Sequence, residues 1–342
     1  MTAVIGGREI RFGVWYDFRN PAPWRRPWSD LYAATLEHIA YAETLGFDDI
    51  WTSEHHFIDD GYSPSLLPIC AAIAARTTRV RIGTNVLLLP LHDPVRVAED
   101  AATVDAISGG RLDLGVAGGY KGEEFAGFGI DRRTRARRME EAVEVIRRAW
   151  SPGPFSFEGR HYRYANVDVM PKPVQAPMPL WMGGFAEPAI RRAARIGDGL
   201  LAAANVIPAY LDELEKRGKQ AAPRRIALSL PWALIAEDPD AAWAKAAPHL
   251  LHRAVNYAKW FTEAGMGLFD AIPTSADEIR ARTPDILVTP ARAVEIVERV
   301  VRDLPVTNLY WWGIPPGMAP KETYESIELF SRRVLARFHA FR

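Results

Sequence analysis

The sequence predicts an α/β chain folded as a closed (β/α)₈ barrel. Apolar, strand-like segments alternate with amphipathic helical segments four times before the middle of the chain, which is typical of a parallel α/β architecture. Eight such apolar strands can be found in 342 residues, which favours a barrel over an open sheet. The alternative, an open doubly wound sheet, should carry a GxGxxG motif directly after its first strand, where this chain has Tyr16-Asp17-Phe18.

The first half contains four strands and the helices between them. We expect strands over residues 10–16, 47–51, 80–89 and 111–116, and helices over 31–45, 66–76 and from 94 to about 108. Ser29 or Asp30 is a suitable N-cap for the first helix, and Gly46 ends it. Asp93 and Pro94 are suited to begin the third helix as N-cap and first residue.

The second half repeats the alternation less regularly. We expect helices over 135–150, 189–196, 208–219, 240–266, 290–301 and 321–337, strands over 180–182, 197–203, 226–236 and 306–312, and an exposed hairpin over 155–164. Residues 267–289 have no clear pattern. We therefore predict one domain over 1–342 with an insertion late in the barrel, at about 237–289.

Composition narrows the classes of function. Lysine plus arginine equals aspartate plus glutamate at 42 each, so the charge balance indicates neither nucleic acid nor an anionic membrane as a partner. Cys70 is the only cysteine, lies in an apolar segment, and cannot form an internal disulfide. No segment approaches the length of a membrane span. We expect a cytoplasmic protein that acts on small molecules.

One polar cluster follows the second predicted strand directly, in the segment FDDIWTSEHHF. Glu54, His55 and His56 lie where a parallel strand ends, which is the edge where barrel proteins build their sites. Side chains alternate in direction along a strand, so only one of the two histidines should face a site. Two ordinary loop histidines are the alternative. Adjacent histidines do not match the HExxH spacing of zinc enzymes, so we expect no metal.

Four segments together resemble the bacterial-luciferase-like monooxygenase family: WTSEHHF, GTNVLLLPLHDPVRVAED, SGGRLDLGVAGGYKGEEFAGFG and PLWMGG. They occur in the family's order over nearly the whole chain. The resemblance implies a TIM barrel with a late insertion. It also implies a reduced flavin, either FMN or the deazaflavin F420, at the carboxyl-terminal face of the barrel.

The resemblance also implies site residues. His55 corresponds to the histidine required for flavin-oxygen chemistry, with Glu54 and His56 in support. A cis peptide bond under the flavin ring corresponds to Asn85-Val86. Near the ring would lie Ala117, Gly118 and Tyr120; many FMN-using relatives have an arginine at Gly118 that holds the flavin phosphate, and its absence here weakens the expectation of FMN.

Two further expectations come from the residues themselves. Gly183, Gly184 and Phe185 precede a predicted helix, whose N-terminal N–H groups are suited to bind the phosphate. Trp232 and Trp312 lie near the ends of predicted strands and could line an apolar substrate cavity.

The favoured function is a monooxygenase that uses reduced FMN and O₂ to oxidise an apolar small organic substrate beside His55. A separate flavin reductase would supply the reduced flavin, and a homodimer would form through residues 31–45 and 66–76. The alternatives are an F420-dependent hydride-transfer enzyme, a catalytically silent flavin-binding protein and a metal-assisted barrel hydrolase.

Overall fold

The computed structural model describes residues 3–219, 225–267 and 270–338. Eight strands form a closed parallel barrel, as predicted, in the order β2-β13-β10-β9-β8-β5-β4-β3, with β3 pairing back to β2. The strands of the described chain are β1 Ala3–Ile5, β2 Arg8–Tyr16, β3 Asp49–Thr52, β4 Arg81–Thr84, β5 Leu112–Val116, β6 Phe155–Glu158, β7 Arg163–Val167, β8 Leu180–Gly183, β9 Gly199–Ala202, β10 Arg225–Ser229, β11 Leu234–Ile235, β12 Leu287–Val288 and β13 Asn308–Trp312.

Helices lie between the barrel strands. Those in the described chain are α1 Trp28–Thr44, α2 Leu66–Ala74, α3 Pro94–Ser108, α4 Gly122–Gly127, α5 Arg135–Trp150, α6 Glu187–Ile196, α7 Ile207–Lys216, α8 Pro239–Glu263, α9 Ala276–Arg282, α10 Pro290–Asp303, α11 Tyr324–Leu329 and α12 Ala336–Phe338, the last two joined by a π-helical stretch, Phe330–Leu335. As predicted, the Asp93 carboxylate caps α3, accepting hydrogen bonds from the backbone N–H groups of Val95 and Arg96.

The contacts divide the chain into two compact units. Unit 1 consists of the described parts of 1–51, 58–63 and 226–342, and unit 2 of the described parts of 52–57 and 64–225. The core of unit 1 includes Phe12, Trp311 and Phe330, whose ring centroids lie 4.4 to 5.3 Å apart in the two closest pairs. In unit 2 the core includes the fully buried Leu114 and Leu180 of neighbouring strands. Buried apolar area of this kind is the main source of stability.

Two predicted strands are too long. The strand expected over 80–89 ends at Thr84, after which only a single bridge joins Leu87 to Val116. The strand expected over 226–236 ends at Ser229 and is followed by a separate short strand, β11, because Pro231 between them has no N–H for a ladder. Strand β11 pairs with β12 instead of extending the barrel strand.

Other boundaries also differ from the expectations. Helix α1 begins at Trp28 after Pro27, so neither Ser29 nor Asp30 is its N-cap. The segment 267–289, expected to be irregular, contains α9 and β12. The predicted hairpin is confirmed, with β6 antiparallel to β7. The late insertion at about 237–289 stays a prediction.

Most large apolar residues of helix α2 are buried within the chain, whereas Trp28 of helix α1 is 43% exposed. Helix α2 buries Leu66, Leu67, Ile69 and Ile73, each at most 7% exposed, so these side chains leave no apolar stripe on the surface.

Trp232 is 1% exposed and packs against Trp311, so it fills the core and does not line a cavity. Among the described helices, none combines the length and the apolar character that crossing a membrane requires.

Candidate active site

The polar cluster predicted from the sequence lies in the loop that follows β3, within unit 2. Strand β3 ends at Thr52, and the next residues are not part of a strand. Glu54, His55 and His56 are all buried, at 3%, 6% and 6% exposure. The two imidazoles contact different carboxylates: His55 pairs with Glu124 and His56 with Glu54. The two histidines therefore have different partners, although the alternation expected along a strand does not apply to them because β3 ends before them.

Glu124 fixes the orientation and tautomer of His55. The Oε1 atom of Glu124 accepts a hydrogen bond from the backbone N–H of His56 at 3.0 Å, and His55 Nδ1 lies 2.7 Å from the same oxygen. Because that oxygen acts as an acceptor toward the N–H group, we assign the proton of this contact to His55 Nδ1. His55 Nε2 is then the ring nitrogen that can accept or deliver a proton.

Tyr120 lies at the other side of the His55 ring. Its hydroxyl is 3.2 Å from His55 Nε2, and the two rings meet edge to face with centroids 5.6 Å apart. Arg132 donates a hydrogen bond to the backbone carbonyl of Tyr120 at 2.8 Å and so holds this loop in place. The contacts place a phenol directly against the nitrogen available for proton transfer.

Glu54 is the centre of a second network. Its Oε1 accepts from His56 Nε2 at 2.5 Å and from His92 Nε2 at 2.7 Å, while its Oε2 accepts from the Leu88 N–H at 2.8 Å. Burial alone would raise the pKa of Glu54, but the bonds from the two histidines outweigh it and lower the pKa to about 2. Burial lowers the pKa of His92, yet the bond to Glu54 more than offsets this and raises it.

The same three side chains have the donor types of a metal site, since Glu54, His56 and His92 lie within reach of one another. The nitrogen-to-oxygen distances of 2.5 and 2.7 Å are those of hydrogen bonds with a proton between the atoms. Both carboxylate oxygens are used by N–H donors. We therefore interpret the cluster as a charged hydrogen-bond network that fixes the loops after β3 and β4.

Asn85 and Val86 follow β4, and the peptide bond between them is cis, as the resemblance implied. Asn85 Nδ2 is a buried donor without a partner among the described residues, and Glu124 Oε2 is a buried acceptor in the same situation. Buried polar groups in proteins are nearly always paired, so such atoms indicate a ligand. A flavin ring offers both carbonyl acceptors and N–H donors, and these two atoms fit it.

Small residues make room beside this position. A side chain added at Gly183 would lie 2.8 Å from Val86 and 3.6 Å from Ala117, so these three residues come together. A Cβ added at Gly118 would meet no atom within 4 Å, so Gly118 faces open space. The fold thus brings the ends of β4, β5 and β8 together around a region that bulky side chains do not fill.

The turn predicted to bind phosphate has a less favourable geometry than its sequence suggested. Pro188 is the second residue of α6 and has no N–H, and the N–H groups of Ala189 and Ile190 both donate to the Ala186 carbonyl. The side chain of Glu187 adds a negative charge to the first turn. Any phosphate contact at Gly184 and Phe185 must come from N–H groups at or before Glu187.

A cluster of arginines in unit 2 offers a second place for an anion. Arg135 donates to the Arg132 carbonyl at 3.0 Å, and neither arginine forms an ion pair with a described carboxylate. Burial lowers the pKa of Arg135, and the like charges of Arg132 and Arg192 lower it further. Because Arg132 also holds the Tyr120 carbonyl, this positive charge lies next to the segment that contacts His55.

Reasoning from the sequence had not singled out Glu124, His92 or Arg135. Glu124 lies in the quoted segment YKGEEF, but nothing in the letters distinguishes it from the exposed Glu123 beside it. His92 directly precedes the Asp93 cap, and capping alone explained that segment. The sequence signal for these two residues was a histidine in the segment after β4 and a carboxylate in the segment after β5. These two strands are neighbours in the barrel and follow the EHH tripeptide in the chain.

A model of the luciferase-like monooxygenase family matches residues 10–284. The chain belongs to the luciferase-like monooxygenase family. The match covers the barrel strands β3, β4, β5 and β8, and the candidate site residues lie at the end of β8 or in the loops and helices that follow these strands.

Curated relatives of this luciferase-like chain include enzymes of two kinds. The F420-dependent glucose-6-phosphate dehydrogenase of Amycolatopsis mediterranei is 30% identical over 202 residues, 56% of this chain and 60% of that protein. The oxygenase component of the flavin-dependent trigonelline monooxygenase of Acinetobacter baylyi is 32% identical over 155 residues, 44% of this chain and 43% of that protein. The chain spans about half the length of the curated relatives it matches.

A solved structure is similar over the whole barrel. The monooxygenase RslO1 from Streptomyces bottropensis superposes with a TM-score of 0.80 at 25% identity, over 96% of this chain and 100% of that chain.

Proposed function

We propose that the protein is a flavin-dependent monooxygenase that uses reduced FMN and O₂ to oxidise a small organic substrate at the carboxyl-terminal face of the barrel. The observation that carries the proposal is the buried His55–Glu124 pair at the strand edge, together with two buried polar atoms, Glu124 Oε2 and Asn85 Nδ2, that have no partner among the described residues. The similarity to a monooxygenase over the full length of both chains supports the same choice.

The residues of the site have separate roles in this proposal. Reduced flavin supplies the electrons that activate oxygen. Glu124 holds the Nδ1 proton of His55 and orients the ring, so that His55 Nε2 holds or delivers a proton at the reacting edge. Tyr120 is positioned to pass a proton to or from that nitrogen. Glu54 does not touch His55 in the described contacts and acts on the loop through His56 and His92.

The flavin would lie against Asn85, Val86, Ala117 and Gly118. Asn85 Nδ2 is placed to donate to a carbonyl oxygen of the ring, and the open space at Gly118 admits the ring or its ribityl chain. The phosphate would be held by Arg135, with the N–H groups around Gly184 and Phe185 in support. A guanidinium binds phosphate more strongly than isolated backbone donors do.

A second candidate, F420-dependent hydride transfer, shares the same barrel edge. It is favoured by the F420-dependent dehydrogenases among the curated relatives and by the absence of an arginine at Gly118. In that reaction His55 Nε2 would act on the proton of the substrate that accompanies hydride transfer, and no oxygen is needed. The His55–Glu124–Tyr120 arrangement serves either reaction.

Anaerobic titration with reduced FMN and with reduced F420, followed by fluorescence, separates the two. We expect reduced FMN to bind more tightly, and admission of air with a flavin reductase present to give substrate oxidation that consumes O₂. Tighter binding of F420 with turnover that does not depend on oxygen would establish the second candidate. Failure of both flavins to bind would reject the proposal and would leave the metal-assisted hydrolase, whereas flavin binding without turnover would indicate the catalytically silent flavin-binding protein.

A separate reductase and a homodimer complete the proposal. The relative from Acinetobacter baylyi is named as an oxygenase component, and a chain of this kind needs reduced flavin from elsewhere. The homodimer rests on the resemblance alone, because the apolar residues of α2 are already buried within the chain.

A further inference from the structure

Unit 1 contains a polar and aromatic cluster that the proposed function does not use. It lies at the carboxyl ends of the adjacent parallel strands β2 and β13, where Trp15 and Trp312 are paired in register. Their rings stack with centroids 4.0 Å apart and planes at 24°, and both side chains remain partly exposed. The pair forms a flat aromatic surface at the edge of the barrel where ligands commonly bind.

Most of the charged groups around this surface are already paired. Arg19 and Asp60 form a buried ion pair at 2.7 Å, and His252 Nε2 lies 2.9 Å from the same Asp60 oxygen. The Asp17 carboxylate accepts from the Trp312 indole N–H at 2.9 Å. The ion pair and the hydrogen bonds thus fix the positions of these charged side chains.

Arg253, on helix α8, is the exception. Its guanidinium lies over the Trp312 ring, 4.8 Å from the centroid, and forms no hydrogen bond or ion pair with any described residue. Burial lowers the pKa of Arg253 to about 10, so the neighbouring acids do not offset the cost of its position. A guanidinium carries five N–H donors. A guanidinium that lies on an aromatic face without an acceptor is therefore available to bind an acceptor group.

We propose that Arg253 and the Trp15–Trp312 pair form a binding site for an organic carboxylate. The carboxylate would accept paired hydrogen bonds from the guanidinium, whose fork matches its two oxygens, while the apolar body of the acid packs on the exposed parts of the two indoles. The contact with the Trp312 ring restricts the guanidinium, so less freedom is lost when the acid binds. None of these three residues has a role in the proposed flavin chemistry, and the test of the site needs no flavin.

The test is isothermal titration calorimetry with benzoate and hexanoate as probes, and benzamide and hexanamide as neutral matches. We expect at least one acid to bind about 10-fold or more tightly than its amide, and added salt to weaken only the acid. Arg253→Met should remove this preference, while Arg253→Lys should keep part of it. Arg299→Met, at an exposed arginine of the same unit, should change nothing.

Two results would overturn the inference. One is equal binding, or no binding, of acid and amide by the unaltered protein, which requires no variant to fold. The other is an undiminished preference for acids in Arg253→Met, with circular dichroism showing a wild-type spectrum. Flavin titration of the same Arg253→Met sample should match the unaltered protein, so a failure of the flavin proposal would be seen separately.

Discussion

Replacing Glu54 by glutamine tests whether its network stabilises the loops after β3 and β4. Glutamine keeps the size of the side chain but removes the negative charge of the carboxylate, whose oxygens accept hydrogen bonds from His56, His92 and the Leu88 N–H. The pKa of Glu54 falls from 4.5 to about 2 on folding. Each tenfold change in acid dissociation corresponds to about 1.4 kcal/mol, so ionised Glu54 contributes about 3 kcal/mol to the free energy of unfolding.

The stability cost of Glu54→Gln should depend on pH, because the pKa of Glu54 is lower in the folded than in the unfolded protein. A carboxyl whose folded pKa is depressed stabilises the protein above its unfolded pKa, and that contribution is lost as the pH falls toward the folded pKa. The difference between wild type and Glu54→Gln should therefore be about 3 kcal/mol at pH 7 and about half of that at pH 3.

Urea denaturation followed by tryptophan fluorescence measures both values. Glu298→Gln, at an exposed carboxylate on α10, is the matched control and should cost almost nothing at either pH. A cost for Glu54→Gln below about 0.5 kcal/mol would show that the network is not a source of stability, and a larger cost that does not change with pH would show that the ionisation of Glu54 is not its origin.

Four further outcomes follow from the same structure. His55→Ala should lower turnover by about 10²-fold or more while flavin affinity changes little, measured by steady-state kinetics and anaerobic titration; unchanged turnover would remove His55 from the mechanism. Arg135→Met should weaken FMN more than riboflavin, which lacks the phosphate, whereas the exposed Arg133→Met should affect neither; equal losses would place the phosphate elsewhere. Burial raises the pKa of Asp17 to about 6, so ionised Asp17 opposes folding above that pH. Asp17→Asn should therefore be more stable than wild type at pH 8, by up to about 3 kcal/mol, but not at pH 4. Thermal denaturation measures this difference, and the reverse order of stability would contradict the prediction. Light scattering should give about twice the chain mass of 38.2 kDa, and a monomer at all dilutions would reject the homodimer.

The sequence predicted the barrel because its signals are local. Apolar strands, the Asp93 cap and the helix over 135–150 depend on neighbours in the chain, and the structure places α5 at Arg135–Trp150. The predicted strand boundaries were wrong where a strand ends but the amino-acid composition of the segment hardly changes. The apolar run after Thr84 continues although the strand has ended, and Leu234–Ile235 pairs with Leu287–Val288, a partner far away in the sequence.

The site was predicted only in part for a related reason. The polar cluster could be located because two histidines and a glutamate at a strand end are unusual in an apolar segment, but the choice of His55 came from the resemblance to the family. Glu124 could not, because its role depends on a contact across 69 positions in the chain that composition does not reveal. The turn predicted to bind phosphate shows the converse, since its glycines were conspicuous while Pro188 and Glu187 reduce its capacity to bind an anion.

The EHH tripeptide gives its two histidines different partners, and the partners differ in one decisive respect. Glu54 has both oxygens occupied by N–H donors, so its charge is fully used and its pKa is low. Glu124 has one oxygen shared by His55 and the His56 N–H, while its other oxygen is buried without a described partner. A saturated carboxylate fixes a loop, whereas a carboxylate with an open oxygen can accept a hydrogen bond from a ligand. The chemistry of the site should therefore depend on Glu124, and its stability on Glu54.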